Sequence, residues 1–342
     1  MATIVLGIGC AHAPQLHTPV GEWKLHAQRD TKDAEPFWYK GERVKYAELL
    51  AQRGDQNLGE QMDVKICNER IAKSHEAIDR LSEIFADAQP DITIIFGNDQ
   101  GEMFLDDIRP VFSIMGGEKF ENMPRTDEQA RRLPPNIHIA DEGHLPDDET
   151  KVFPGHPVLA RYLVESAMNN DFDISYSHRQ YRADPAHAHT SGMPHAYGFI
   201  YKQIFRNNPV PHVPIDINTF FPPNQPDASR CYAFGRMIGK AVRAWDNDAR
   251  VVVIASGGLS HPVVDEDFDR DIIHAMESGD LKYLLSYREG YYQSGSSEIK
   301  SWIAMHGALQ DSYLKCHLID YQPLYRTPAG TGSSAAFMVW QL

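Results

Sequence analysis

The sequence predicts a layered α/β fold: a single domain with a central, mostly buried sheet flanked by helices, and a long lid insertion after the first strand. Three observations predict it. Short apolar, β-branched runs recur as "TIVLGIG" (3–9), "PDITIIFGNDQ" (90–100) and "RVVVIAS" (250–256). Segments with helical apolar spacing alternate with them, as in the helix-strand order of α/β domains. Each of the three runs also ends on a turn carrying glycine or polar residues, as strands do at the rim of a sheet.

Taken in order, residues 3–9 form a first strand that delivers His12 at its exit. Residues 13–60 are polar, aromatic and too long for a simple connection, which predicts an ordered lid. From Met62 to Ala88 the spacing is helical, with Ile71, Ile78, Leu81 and Phe85 on one face. Residues 90–100 are the next strand, and residues 120–155, rich in Pro, Asp and Glu, are expected as a surface excursion. "HPVLARYLVESAMNN" (156–170) predicts a helix, "FDISYS" a strand, "HAYGFIYKQIF" (195–205) a helix and "PVPHVPIDINTF" (209–220) a strand. "RCYAFGRMIGKAVRAW" (230–245) is helical, with Tyr232, Ile238, Val242 and Trp245 near one stripe, and leads into the central strand. "SGSSEIKSWIAMHGAL" (294–309) predicts a helix capped by Ser296 or Ser297, and "SAAFMVWQL" a C-terminal strand. No internal repeat or domain boundary interrupts residues 1–342.

Bulk properties narrow the function. The 342 residues are 42% apolar and 23% charged, ordinary for a globular chain. A formal charge of −14 without any Lys/Arg-rich tract argues against a nucleic-acid partner. Cys10, Cys67, Cys231 and Cys316 lie far apart, without a C-x-x-C pair, which suits a reducing compartment. With neither a basic leader followed by a long apolar stretch nor a membrane-length run, a cytoplasmic protein without membrane contact is expected.

In open α/β sheets, ligand sites gather at the carboxyl ends of strands. His12, the Asn98-Asp99-Gln100 turn and His261 in "SGGLSH" each follow a predicted strand. Any one of them is explained by a turn or a core histidine; together they form a constellation. Imidazole is the commonest metal donor and a general acid–base near neutral pH. Glu298, in a first helical turn, is alone accounted for by the helix dipole.

"GIGCAHAP", "PDITIIFGNDQ", "INTFFPPNQPDASRCYAFGRMIGKAV", "VVVIASGGLSHP", "SGSSEIKSWIAMHGAL" and "TPAGTGSSAAFM" occur in that order. Together they resemble the class III extradiol ring-cleavage dioxygenases. The similarity is to the protocatechuate 4,5-dioxygenase β subunit and to gallate and 3-O-methylgallate dioxygenases, over most of the chain outside residues 13–60 and 120–155. The resemblance implies Fe(II) held by two histidines and a glutamate, a carboxylated and in some cases methoxylated catechol as substrate, and dioxygen as co-substrate. It also implies a homo-oligomer, with a small partner subunit found in one branch. Carried over by motif, His12 and Glu298 match metal ligands, His261 the acid–base histidine, and His195 a second catalytic histidine near substrate.

One position departs. The family's second histidine ligand closes an N-D-H turn, where this chain has Gln100. Gln100 as ligand, Glu102 in its place, a histidine from elsewhere (His17, His26, His187 or His189) and an altered or lost site all remain open. Gln100 at or beside the metal is the expected arrangement. For substrate binding the resemblance points to Thr331 and Ser333 in "PAGTGSS", with Tyr197 and the lid residues Phe37, Trp38 and Tyr39 as candidates to sandwich the ring. Asn218 is a candidate for orienting a catalytic neighbour. The rivals are a metal-dependent hydrolase and a non-catalytic binding protein on the same scaffold.

Overall fold

A computed structural model describes residues 1–32, 35–134, 137–184 and 187–342. Residues 33–34 and 135–136, within the two expected insertions, lie outside the described residues. Twelve strands are described in chain order. They are β1 (Thr3–Cys10), β2 (Phe37–Tyr39), β3 (Glu42–Val44), β4 (Ile92–Gly97), β5 (Phe112–Met115) and β6 (Lys119–Asn122). There follow β7 (Lys151–Pro154), β8 (Ser175–Ser177), β9 (His212–Ile217), β10 (Arg250–Ser256), β11 (Lys315–Tyr325) and β12 (Gly332–Gln341).

Eight of them form one mixed sheet in the order β11-β12-β1-β10-β4-β9-β5-β8. Its centre is parallel, through β1–β10, β10–β4 and β4–β9. Strands buried on both faces read as continuous apolar runs rather than alternating ones, which is why "RVVVIAS" and "ITIIFG" were conspicuous. Successive side chains still diverge. Val251, Val253 and Ala255 enter one core with the helices Pro157–Met168, Ala228–Ala244, Glu266–Ser278 and Ile299–Leu309. Val252 and Ile254 enter the other, with helix Val64–Asp87. The architecture is therefore a helix-flanked α/β sheet, as the sequence indicates. Among the described residues no helix is long and apolar enough to cross a membrane.

The periodic helix expected from Met62 to Ala88 is Val64–Asp87, started by Asp63, whose side chain accepts from the Lys65 N–H. The "HAYGFIYKQIF" segment is α-helical over His195–Phe199 and continues as a π-turn over Ile200–Ile204. Such a one-turn widening commonly accompanies functional sites. Residues 13–60 hold a helix (Trp23–Lys32), the β2–β3 hairpin and a second helix (Tyr46–Arg53). Asp30 fastens this insertion to the C-terminal region through a two-point pair with Arg326, at 2.7 and 3.0 Å. The β6–β7 hairpin opens and closes the segment 119–154.

Candidate metal centre and adjoining cavity

Three strand exits converge on the site. β1 leads to His12, β10 ends at Ser256, and β4 runs into the Asn98-Asp99-Gln100 turn. The Asp99 carboxylate builds that turn by accepting the N–H groups of Gly101, Glu102, Met103 and Phe104 at 2.6 to 3.1 Å. Gly101 supplies the left-handed backbone, φ +81°, that the reversal requires. Gln100 and Glu102 thereby face the same place from one short loop.

Glu298 arrives from the start of helix Ile299–Leu309. That helix can press against the sheet because Gly9 has no side chain: a Cβ there would lie 2.3 Å from the Trp302 ring. Trp302 Nε1 donates to the Gly257 carbonyl at 2.9 Å, locking the helix to the β10 exit. The two glycines of "SGGLSH" have a role in this packing. A Cβ on Gly257 would meet the Glu298 Cβ at 2.8 Å. The Gly258 N–H donates to Glu298 Oε2 at 2.6 Å.

The buried Glu298 carboxylate is the hub. His12 Nε2 lies 3.3 Å from Oε1, the Gln100 amide donates to Oε1 at 2.7 Å, and His261 Nε2 is 3.7 Å from Oε2. His12, His195 and Glu298 each present one ligand atom, all within 4.8 Å of one another. Two imidazoles and one carboxylate suit a divalent transition metal such as Fe(II) or Zn(II). Their outer atoms are already held: His12 Nδ1 by Ser256 Oγ at 2.9 Å, and His195 Nδ1 by Glu102 Oε2 at 2.6 Å. Such partners orient the ring and fix which nitrogen faces the ion. The residues therefore fit a metal.

Charge in the cluster is strongly coupled. Burial opposes ionisation of Glu298, but His12 and His261 hold its carboxyl well below the ordinary range. Burial depresses His12, with Glu298 acting against it. For His195 burial also opposes charge, yet the Glu102 carboxylate overrides it and raises the imidazole to about 9. His261 is raised, again against burial, by Glu298.

The site opens into a cavity of about 410 Å³, whose wall includes His12, Gln100, Glu102 and His195. His144 stands next to His195, with ring centroids 6.0 Å apart. The wall also includes Leu133, Ile137, Ala140, Phe220 and Phe221. Residues 120–155 thus contribute a side of the cavity.

The expected residues divide in two. His12, Glu298, Gln100, His195 and His261 are gathered around one carboxylate. His17 and His189 line the cavity, and Glu102 binds His195. Thr331, Ser333 and Tyr197 lie elsewhere. Thr331 is fully buried and donates to Asp30 Oδ2 at 2.6 Å. Ser333 is buried opposite Leu324 in the β11–β12 ladder. Tyr197 packs behind β4, where a Cβ on Gly97 would touch its ring at 3.1 Å. Phe37 and Tyr39 pack on Val44, Leu49 and Val263, while Arg43 covers the Trp38 ring. His26 is buried in the lid helix, and His187 pairs with Asp184. Asn218 holds its own turn through Phe221 and Asn224. Ser256 opens the "SGGLSH" segment, yet nothing in that pattern marks it as the partner of His12; Leu133, Ile137 and Ala140 carry no signal because they sit in no motif or periodic pattern.

The chain is also similar to known proteins. A family model described as the catalytic LigB subunit of aromatic ring-opening dioxygenase matches residues 57–337. A gallate dioxygenase of Pseudomonas putida is 27% identical over 198 residues, 54% of each chain. The chain thus spans about half the length of that curated relative. A crystal structure of the uncharacterized protein JW3007 from Escherichia coli K12 aligns with a TM-score of 0.44 at 14% identity, over 76% of this chain and 91% of that one.

Proposed function

The chain belongs to the LigB family of catalytic subunits of aromatic ring-opening dioxygenases, and from that premise we propose that it is a non-haem Fe(II) extradiol enzyme acting on a carboxylated catechol. The observation that carries this reading is the convergence of His12, His195 and Glu298 within 4.8 Å, with His261 Nε2 3.7 Å from the Glu298 carboxylate. Fe(II) held there supplies the redox chemistry that couples dioxygen to the ring.

The protein's part is orientation and proton handling. Ser256 and Glu102 fix the rings of His12 and His195. Gln100 steadies Glu298 Oε1 through its amide hydrogen, beside the residues that would hold the metal. His261 Nδ1 faces the Leu259 carbonyl at 2.8 Å, so Nδ1 carries a hydrogen and Nε2 is left for exchange. His261 Nε2 accepts a proton from a catechol hydroxyl and returns it as the ring opens, which is general acid–base catalysis.

Anaerobic metal analysis combined with oxygen uptake on a catechol panel tests the reading. Iron with stoichiometric uptake supports it; zinc with no uptake on any catechol would place a hydrolytic metal enzyme here instead.

A further inference from the structure

We propose that the part of the cavity left over by the catechol ring is a subsite for a bulky apolar substituent, such as a second ring, on the catechol. This rests on the dioxygenase reading above and narrows its substrate class.

The first ground is volume. An apolar cavity of ~150 Å³ is enough to take up benzene, whereas this one measures about 410 Å³. A single catechol ring placed at His12 and His195 leaves more than half of it to be filled. The second ground is the lining. Besides the polar groups of the cluster, the wall includes Leu133, Ile137, Ala140, Phe220 and Phe221, side chains that gain from contact with an apolar group and offer a polar one nothing.

The third ground is the state of the one buried guanidinium in that wall. Arg125 directs Nε and Nη2 at the two oxygens of Asp141, at 2.7 and 3.0 Å, and Nη1 donates to the His189 carbonyl. Its charge is neutralised and all three nitrogens are engaged, so it buttresses the wall rather than receiving an anion. Arg29, the other guanidinium at the cavity, stands at its exposed rim. Among the described residues, two buried imidazole nitrogens in the wall remain without a hydrogen bond: His17 Nε2, and His144 Nε2, which is 3.6 Å from Asp141 Oδ1; either can meet a hydroxyl or methoxyl on the substituent.

The test compares catechol, protocatechuate and 4-phenylcatechol on the iron-loaded full chain, by anaerobic binding and by kcat/KM. The expected result is at least tenfold tighter anaerobic binding and at least tenfold higher kcat/KM for 4-phenylcatechol than for catechol. Ala140→Phe, which fills the subsite, lowers that ratio at least tenfold. Leu133→Trp, on a separate part of the wall, does the same if the first variant fails to fold. Equal or weaker binding of 4-phenylcatechol, or a ratio unmoved in a folded variant, overturns the subsite. If catechol and protocatechuate are opened without any advantage for 4-phenylcatechol, the subsite falls and the dioxygenase reading stands. If 4-phenylcatechol binds preferentially but no catechol is opened, the reverse holds.

Discussion

Glu102 grips His195 at two points: Oε1 accepts the His195 backbone N–H at 3.0 Å, and Oε2 lies 2.6 Å from its ring Nδ1. The grip fixes both the start of helix His195–Phe199 and the rotation of the imidazole. The remaining ring nitrogen, Nε2, is left for an ion, and the His195 and His12 ring centroids lie 4.6 Å apart. Glu102→Ala is expected to weaken metal binding about 10- to 100-fold, the usual cost of removing a partner that orients a ligand. Competition titration against a chromophoric chelator measures it directly, and an unchanged dissociation constant would remove His195 from the ligand set.

Motif legibility was uneven, and for physical reasons. β1, β4 and β10 were visible because parallel strands buried on both faces must be apolar throughout. His12 and Glu298 were visible because the segments around them are constrained by packing: Gly9 admits Trp302, and Gly257 admits the Glu298 stem. His195 was expected near substrate, but its company with His12 and Glu298 depends on Glu102, a partner in a different loop that no spacing reveals. Thr331 carried a binding expectation from its glycine-rich loop; its hydroxyl instead ties that loop to Asp30 of the lid. Ile137, Ala140 and His144 sit on or just after the short 3-10 turn Ile137–Gly143, whose side-chain directions follow from tertiary contacts rather than from the α-helical period.

His261 separates proton transfer from metal retention. It touches Glu298 only at 3.7 Å, and its ring is fixed independently through the Leu259 carbonyl. His261→Ala is therefore expected to lower kcat by about 10²- to 10⁴-fold, the range for a lost general acid–base group, while iron content stays near stoichiometric. Parallel loss of iron and activity would reassign the residue to holding Glu298.

The loop facing His261 permits a steric version of the same experiment. A Cβ on Gly295 would lie 1.9 Å from His261 Cδ2 and 2.3 Å from Nε2. Gly295→Ala must push the ring aside, at a cost of about 1–3 kcal/mol for overpacking a buried contact. The free energy of unfolding in denaturant should fall by that amount, and the loss in turnover should approach that of His261→Ala. A variant with full turnover would show that the His261 ring moves without consequence.

Gln100 is where the site can be strengthened. Its amide donates to Glu298 Oε1 at 2.7 Å, so a side chain of similar reach at this position already abuts the ligand cluster. Gln100→His adds an imidazole, a stronger donor to Fe(II) than an amide oxygen, and should slow iron loss to a chelator by about tenfold, a gain near 1.4 kcal/mol. Iron release at the wild-type rate would mean that the Asn98-Asp99-Gln100 turn does not reach the ion.

Stability should fall in acid through histidines remote from the metal centre, and His212 is the clearest case. It is fully buried on β9, where Nδ1 donates to the Pro154 carbonyl at 2.9 Å and Nε2 accepts from the Tyr201 hydroxyl at 2.7 Å. The neutral ring is satisfied on both sides. Burial lowers its pKa from 6.5 to about 4, with the carbonyls of Val210 and Pro154 acting in the opposite sense. In the unfolded chain the ring takes up a proton near 6.5, so its contribution is complete above that pH and is lost as pH falls from 6.5 toward 4. The gap corresponds to at most about 3 kcal/mol. His26 and His306, lowered to about 4 by burial, add to the same slope. Chemical denaturation between pH 7.5 and about 4.5 should show stability decreasing with acid, and His212→Gln should flatten that decrease whatever its effect on stability at pH 7.5. An identical slope in the variant would mean that the His212 ring is protonated as readily in the folded chain as in the unfolded one.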